Sequence, residues 1–192
     1  MAKKRNPKNK KNTSQKPLIE LEQEAEHFFE HNKHKEAIEA YKNLLKIEKR
    51  TDWQQKLAQT YLLRAHALAG KALYQEAAVV WENYAEQSNE YLHAEQYLSW
   101  LSHAKQYSKI ASFLKNNKVQ LDKLVLQHLY SVLGAVLLAG EEKIITLFTA
   151  DNPVITDYPF AKGALQAYCQ NNTQALDDNL KQIPFRSPYK DF

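Results

Sequence analysis

Four side chains recur at fixed offsets along this chain, and their spacing leaves few folds open. Ala25, Phe28, Ala37 and Tyr41 stand at relative offsets 0, 3, 12 and 16, and Ala65, Leu68, Ala77 and Trp81 take the same offsets 40 residues later. Leu98, Leu101, Ile110 and Leu114 follow after 33 residues, Val132, Ala135, Ile144 and Phe148 after 34 more, and Ala164, Ala167, Leu176 and Leu180 after a further 32. Residues three or four apart share one face of a helix. Offsets 0 and 3 therefore mark one helix and offsets 12 and 16 a second, with space between them for a tight turn only. Small residues at 0 and 12 let two backbones approach closely, while larger ones at 3 and 16 fill the space beside them. Asn32, Gly70, Gly140 and Asn171-Asn172 supply turn signals between the two members of a pair. Thr51 to Gln54 reads as a capping box opening a helix. Ser88, and Thr156 or Asp157 with Pro159, read as later helix starts.

Composition agrees with an all-α chain. Among 192 residues, Ala and Leu supply 46, Gly only 4 and Pro 6, and no proline falls between Pro17 and Pro153. Sandwiches and barrels need frequent turn residues and β-branched runs, which this chain lacks. The expected architecture is five antiparallel helix hairpins over residues 18–183. The uncharged stretch Leu124 to Gly140 contains Gln127, His128 and Ser131 and falls short of the ~20 residues a membrane span requires, so it reads as a buried central helix. Cys169 is the single cysteine, which excludes an intrachain disulfide and suits a reducing compartment; a cytoplasmic location is expected, with Cys169 as a small buried residue.

Residues 31–51 (HNKHKEAIEAYKNLLKIEKRT), together with Tyr74-Gln75-Glu76-Ala77 followed by Trp81, resemble the turn and second helix of tetratricopeptide repeats (TPR). The resemblance covers residues 18 to about 87. It implies that the hairpins stack as a right-handed α-solenoid whose first helices line a groove. On that register the groove wall holds Glu22, Glu26, Phe29, Glu30, Gln59, Leu62, His66, Glu95 and Ser99. TPR domains that clamp C-terminal carboxylates carry Lys and Asn on these walls. Glu22 and Glu26 stand there instead, which implies a basic or neutral peptide or protein partner rather than an acidic C-terminus.

Catalytic patterns are sparse. His27-Phe28-Phe29-Glu30-His31 matches the H-x-x-E-H pattern of some zinc peptidases. Phe28 is already assigned to the repeat, however, and His31 and His34 fall in the turn. The phosphate-cradling glycine motifs and the hydrolase G-x-S-x-G elbow do not occur. Trp53, Trp81 and Trp100 read as fillers between hairpins. No catalytic residue, metal ligand or cofactor is expected.

Charge divides the chain. Lys3, Lys4, Arg5, Lys8, Lys10, Lys11 and Lys16 give residues 1–17 a charge of +7 within a net charge of +4, so the body is mildly acidic. With almost nothing apolar to bury, this basic tail is expected to be disordered. The sequence thus points to a noncatalytic adaptor or scaffold. The alternative is a nucleic-acid or ribosome-associated accessory protein whose tail contacts RNA, DNA or another anionic surface. Residues 184–192, rich in proline and aromatics, read either as the start of a longer chain or as a segment that packs back as a cap.

Overall fold

The computed structural model describes residues 17–88, 91–116 and 119–191. The basic side chains from Lys3 to Lys16 lie outside the described residues. Among those described there is no strand, and ten α-helices follow one another: α1 Leu18–Glu30, α2 His34–Ile47, α3 Thr51–Ala69, α4 Tyr74–Ser88, α5 Ala94–His103, α6 Tyr107–Asn116, α7 Lys123–Leu138, α8 Pro153–Thr156, α9 Tyr158–Cys169 and α10 Thr173–Gln182. A 3-10 helix, Glu142–Leu147, lies between α7 and α8.

One turn is built five times. Asn32, Ala72, Lys105, Gly140 and Asn171 all have positive φ, between 54° and 102°. In each case the amide of the next residue donates to a carbonyl five residues back: Lys33 to Phe28, Leu73 to Leu68, Gln106 to Leu101, Glu141 to Val136 and Asn172 to Ala167, at 2.9 to 3.2 Å. This six-to-one bond closes a helix on a left-handed residue. Its acceptors Phe28, Leu68, Leu101 and Ala167 are the residues at offset 3 of the sequence repeat. The carbonyls of Lys33, Leu73, Gln106 and Asn172 then accept the first bonds of the following helix, from Ala37, Ala77, Ile110 and Leu176, which stand at offset 12. The repeat in the sequence is therefore the hydrogen-bond register of a turn. The first step is the longest because α3 runs for 19 residues, whereas α5 and α6 have 10 each.

Packing follows the same register. Ala25, Ala37, Ala65 and Ala77 are fully buried, and Tyr41, Trp53, Trp81 and Trp100 fill the space beside them. Most helices pack on their neighbours in sequence, α1 on α2, α2 on α3, α3 on α4, α4 on α5 and α9 on α10, whereas α6 packs most on the 3-10 helix and α7 equally on α8 and α9. Trp81 stacks on Tyr97 with ring centroids 4.2 Å apart, joining the second hairpin to the third.

Several expectations are corrected. In the fourth unit the sequence register is one residue out: Leu133 is buried and Val136 accepts the turn bond where Val132 and Ala135 were expected, because the apolar run 132–139 does not fix its own phase. The second element of that unit is a 3-10 helix, since β-branched Ile144, Ile145 and Thr146 lose rotamer freedom in an α-helix. Helix α7 is not a fully buried central helix, as Leu124, Gln127 and His128 face solvent. Gly70 is right-handed and Ala72 takes the left-handed place. Thr51 lies inside α3 after Arg50 as N-cap, and no side chain caps that end. Ser88 ends α4 and donates its hydroxyl to the carbonyl of Tyr84. Cys169 is exposed because it closes α9 beside the turn. The C-terminal segment packs back through Tyr189, while Phe185 is exposed. Tyr189 is buried, and its hydroxyl donates to the carbonyl of Val154 at 2.6 Å. Gly134 makes room for its ring, which would lie 3.0 Å from a Cβ at that position.

The left-handed turn residues generate a pair of opposite expectations. An alanine held at φ 58° is strained by roughly 1 kcal/mol, whereas glycine is not. Ala72→Gly should therefore stabilise the protein by up to about 1 kcal/mol, and Gly140→Ala, at φ 102°, should destabilise it by about 1 to 2 kcal/mol, both read from urea unfolding midpoints. Shifts of the same sign would contradict the turn geometry.

Candidate functional site

The expected groove wall begins on α1, and its acids are engaged. Glu22 accepts from the indole Nε1 of Trp53 at 2.8 Å and faces Arg50 at 3.4 Å. Arg50 lies over the Trp53 ring, 4.2 Å from its centroid, and also bonds Asp52. Glu26 accepts from the Tyr41 hydroxyl at 2.6 Å and from Lys56 Nζ at 2.7 Å. The same ammonium stands over the Phe29 ring at 4.4 Å. Glu22, Glu26 and Phe29 therefore hold α1 to α2 and α3, and Arg50 and Lys56 counter the charge of the two carboxylates. The bonds from Lys56 and Tyr41 hold the Glu26 carboxyl below the usual glutamate range. Burial and the Glu26 bond push the Tyr41 phenol up.

Two clefts open along α3. One, of about 230 Å³, is lined by Glu22, Glu26, Tyr41, Trp53, Lys56 and Gln59 among others. The larger, of about 630 Å³, lies between α3 and the end of α4; Gln54, Gln55, Gln59 and Gln87 surround Ala58, Leu62 and Tyr84. Of the expected wall residues, Gln59 and Leu62 meet here. His66 turns toward α5, edge-on to Trp100 at 5.3 Å and to His93 at 5.7 Å, and burial followed by the His93 charge lowers its basicity. Glu30, Glu95 and Ser99 are exposed and line neither cleft. Glu95 instead accepts the amide of Asp122, the residue that caps α7.

An arrangement not read from the sequence appears three times. A single carboxylate takes both a tyrosine hydroxyl and a lysine ammonium: Glu26 with Tyr41 and Lys56, Glu82 with Tyr97 and Lys109, and Glu142 with Tyr158 and Lys162, at 2.6 to 3.3 Å. The first clasp joins α1, α2 and α3, and the second joins α4, α5 and α6. A tyrosine 15 or 16 residues after a glutamate is its trace in the sequence.

The histidines of the H-x-x-E-H pattern sit apart from these clefts. The His27 and His31 rings lie 4.1 Å apart, tilted by 36°, and His31 Nδ1 lies 2.8 Å from the His27 carbonyl oxygen. Among the described residues no group of three His, Cys, Asp or Glu side chains could hold a metal ion. Comparison of the chain with protein-family models, with curated protein sequences and with solved structures finds no match.

The Glu26 clasp sets a pH dependence. Its folded pKa lies below the ordinary glutamate value, so ionised Glu26 contributes stability that is complete above the unfolded pKa and is lost as pH falls through the folded one. Glu26→Gln should lower stability at neutral pH and flatten its decline below about pH 4.5, as read from thermal melts across that range. An unchanged decline in the variant would show that the clasp does not form.

Proposed function

We propose that this chain is a noncatalytic adaptor of TPR type, with hairpins stacked as a right-handed α-solenoid. It holds a neutral or basic segment of a partner protein along α3, the first helix of the second hairpin, and so supports assembly of a complex. The observation that carries the reading is the 630 Å³ cleft, where the amides of Gln54, Gln55, Gln59 and Gln87 surround an apolar floor. A glutamine side chain both donates and accepts, so a row of them can bond an extended backbone in either direction. Ala58, Leu62 and Tyr84 offer apolar contact for alternate side chains of such a segment. The acids of the adjoining wall already face Arg50 and Lys56, and no lysine or arginine stands among the residues lining the cleft, which favours a neutral or basic ligand over an acidic C-terminus. The single cysteine suits a reducing compartment, and we infer a cytoplasmic location.

The second reading, a nucleic-acid or ribosome-associated accessory protein, rests on the +7 charge of residues 1–17. The two predict different behaviour. Fluorescence anisotropy with labelled peptide pools should show saturable binding of neutral or basic peptides that survives deletion of residues 1–16. Gln59→Ala combined with Leu62→Glu should weaken it at least about tenfold, or about 1.4 kcal/mol. Preference for acidic C-terminal peptides, or indifference to the two substitutions, would overturn the adaptor reading. Binding of RNA that needs Lys3 to Lys16 and falls steeply with salt, in place of peptide binding, would establish the second.

A further inference from the structure

Three histidines stand where a proton is unwelcome, and all of them bear on α3. His34 is the first residue of α2, and His93 is the N-cap of α5, at φ 60°. A helix N-terminus carries partial positive charge and so disfavours an imidazolium. The Nδ1 of His34 is buried with no hydrogen-bond partner among the described residues. A neutral ring can leave that nitrogen without a proton, whereas an imidazolium carries N–H on both nitrogens and would bury a donor without an acceptor. The charge that faces His34 is the Arg64 guanidinium of α3, and burial together with that charge holds its basicity down. Two positions further along α3, His66 meets the His93 ring edge-on at 5.7 Å and Trp100 of α5 at 5.3 Å. Carboxylates do not offset these contacts. Glu30 at the end of α1 and Glu95 in the first turn of α5 are exposed, and Glu95 accepts the Asp122 amide. Glu82 of α4 is held by Tyr97 and Lys109. Among the described residues none of the ion pairs includes His34, His66 or His93.

We propose that His34 and His66 form a proton-sensitive latch on the two flanks of α3. Neutral, they let α2 and the start of α5 pack against that helix; protonated, they loosen both junctions. The two flanks use one design, a histidine set against a cationic group across the junction between successive hairpins. On the first flank the opposing group is Arg64, which keeps its charge throughout. On the second it is His93, held at the head of α5 because its carbonyl accepts the Tyr97 amide and the preceding Leu92 carbonyl accepts the Trp81 indole, both at 3.1 Å. The sign of the effect follows from linkage. His34 and His66 are both less basic in the folded chain than an ordinary imidazole, so the unfolded chain takes up protons first as pH falls. The stability that the neutral rings contribute is therefore complete above about pH 6.5 and is lost as pH falls through their folded pKa values. The latch needs only the packing of α2, α3 and α5, so it stands apart from peptide binding in the glutamine-lined cleft.

Native-state hydrogen exchange and imidazole titration by NMR, both on the full chain, test the latch. Ala37 and Tyr97 donate their amides to the carbonyls of Lys33 and His93 at 2.9 and 3.1 Å, in the first turns of α2 and α5. Below about pH 6.5 their protection, corrected for the intrinsic exchange rate, should fall by up to about tenfold per pH unit for each proton taken up. Leu126, which makes the equivalent bond in α7, should keep its protection over the same range. His34 and His66 should both titrate below about pH 6.5. Arg64→Gln should raise the titration of His34 and leave His66 in place, and His93→Asn should raise His66 and leave His34 in place. Asparagine tolerates the left-handed backbone at position 93. Both variants retain His34 and His66, so the packing of those rings is not cut away. The pH dependence of exchange should weaken at Ala37 in the first variant and at Tyr97 in the second. Histidines that titrate at or above about pH 6.5, protection at Ala37 and Tyr97 that does not change with pH, or variants that move neither titration would each overturn the proposal.

Discussion

Everything in this chain is arranged around one backbone hydrogen bond, the amide that reaches five residues back to close a helix on a left-handed residue. Once that bond is made, the direction of the next helix is set, and so are the residues that face across the turn. The acceptor becomes offset 3 of the repeat, and the first amide to bond within the second helix becomes offset 12. Offset 0, one turn before the acceptor, and offset 12 must then be small or well fitted, because two backbones converge there. Ala25 with Ala37 and Ala65 with Ala77 meet that condition with no exposed surface. Where the second helix cannot form, after Gly140, the turn is still made and the chain continues as a 3-10 helix.

Stability and specificity come from different contacts. Burying Trp81 or Tyr41 removes a large apolar area from water, worth roughly 2 to 3 kcal/mol for a side chain of that size. Ion pairs as exposed as Lys56 to Glu26 contribute about 0 to 1 kcal/mol. The three tyrosine–glutamate–lysine clasps therefore add little to the total. Their effect is positional: each carboxylate accepts from two directions and can do so only when three groups are correctly placed. In the first clasp this holds α1 against α3 and leaves the glutamine-lined cleft next to a wall whose charges are met.

How much of this was legible in the sequence depends on how far apart the interacting residues lie. Helix pairing was legible because small and large residues recur at helical spacing, as in Ala65, Leu68, Ala77 and Trp81. The left-handed residues Ala72 and Lys105 were hidden, since neither side chain favours that conformation and only the surrounding turn imposes it. The fourth unit slipped by one residue because Leu133 and Val136 sit within the apolar run 132–139, which fits either phase. Glu22 and Glu26 read as a free acidic wall because their partners Trp53 and Lys56 lie 31 and 30 residues away, beyond any local pattern. Gln59 and Leu62 stand one turn apart on α3, a spacing local enough to read from the sequence, and both line the larger cleft.

The central claim is that the chain is an array of hairpins, each closed by the same turn and supported mainly by its neighbours in sequence. Native-state hydrogen exchange at the amides of Ala37, Ala77, Ile110 and Leu176, which begin the second helices, tests it most directly. In such an array each hairpin opens with its own free energy and denaturant dependence. The account predicts the greatest protection at Ala77, between the long helices α3 and α4, and the least at Leu176, on the helix without a fully buried residue. A single opening free energy shared by all four amides would contradict it.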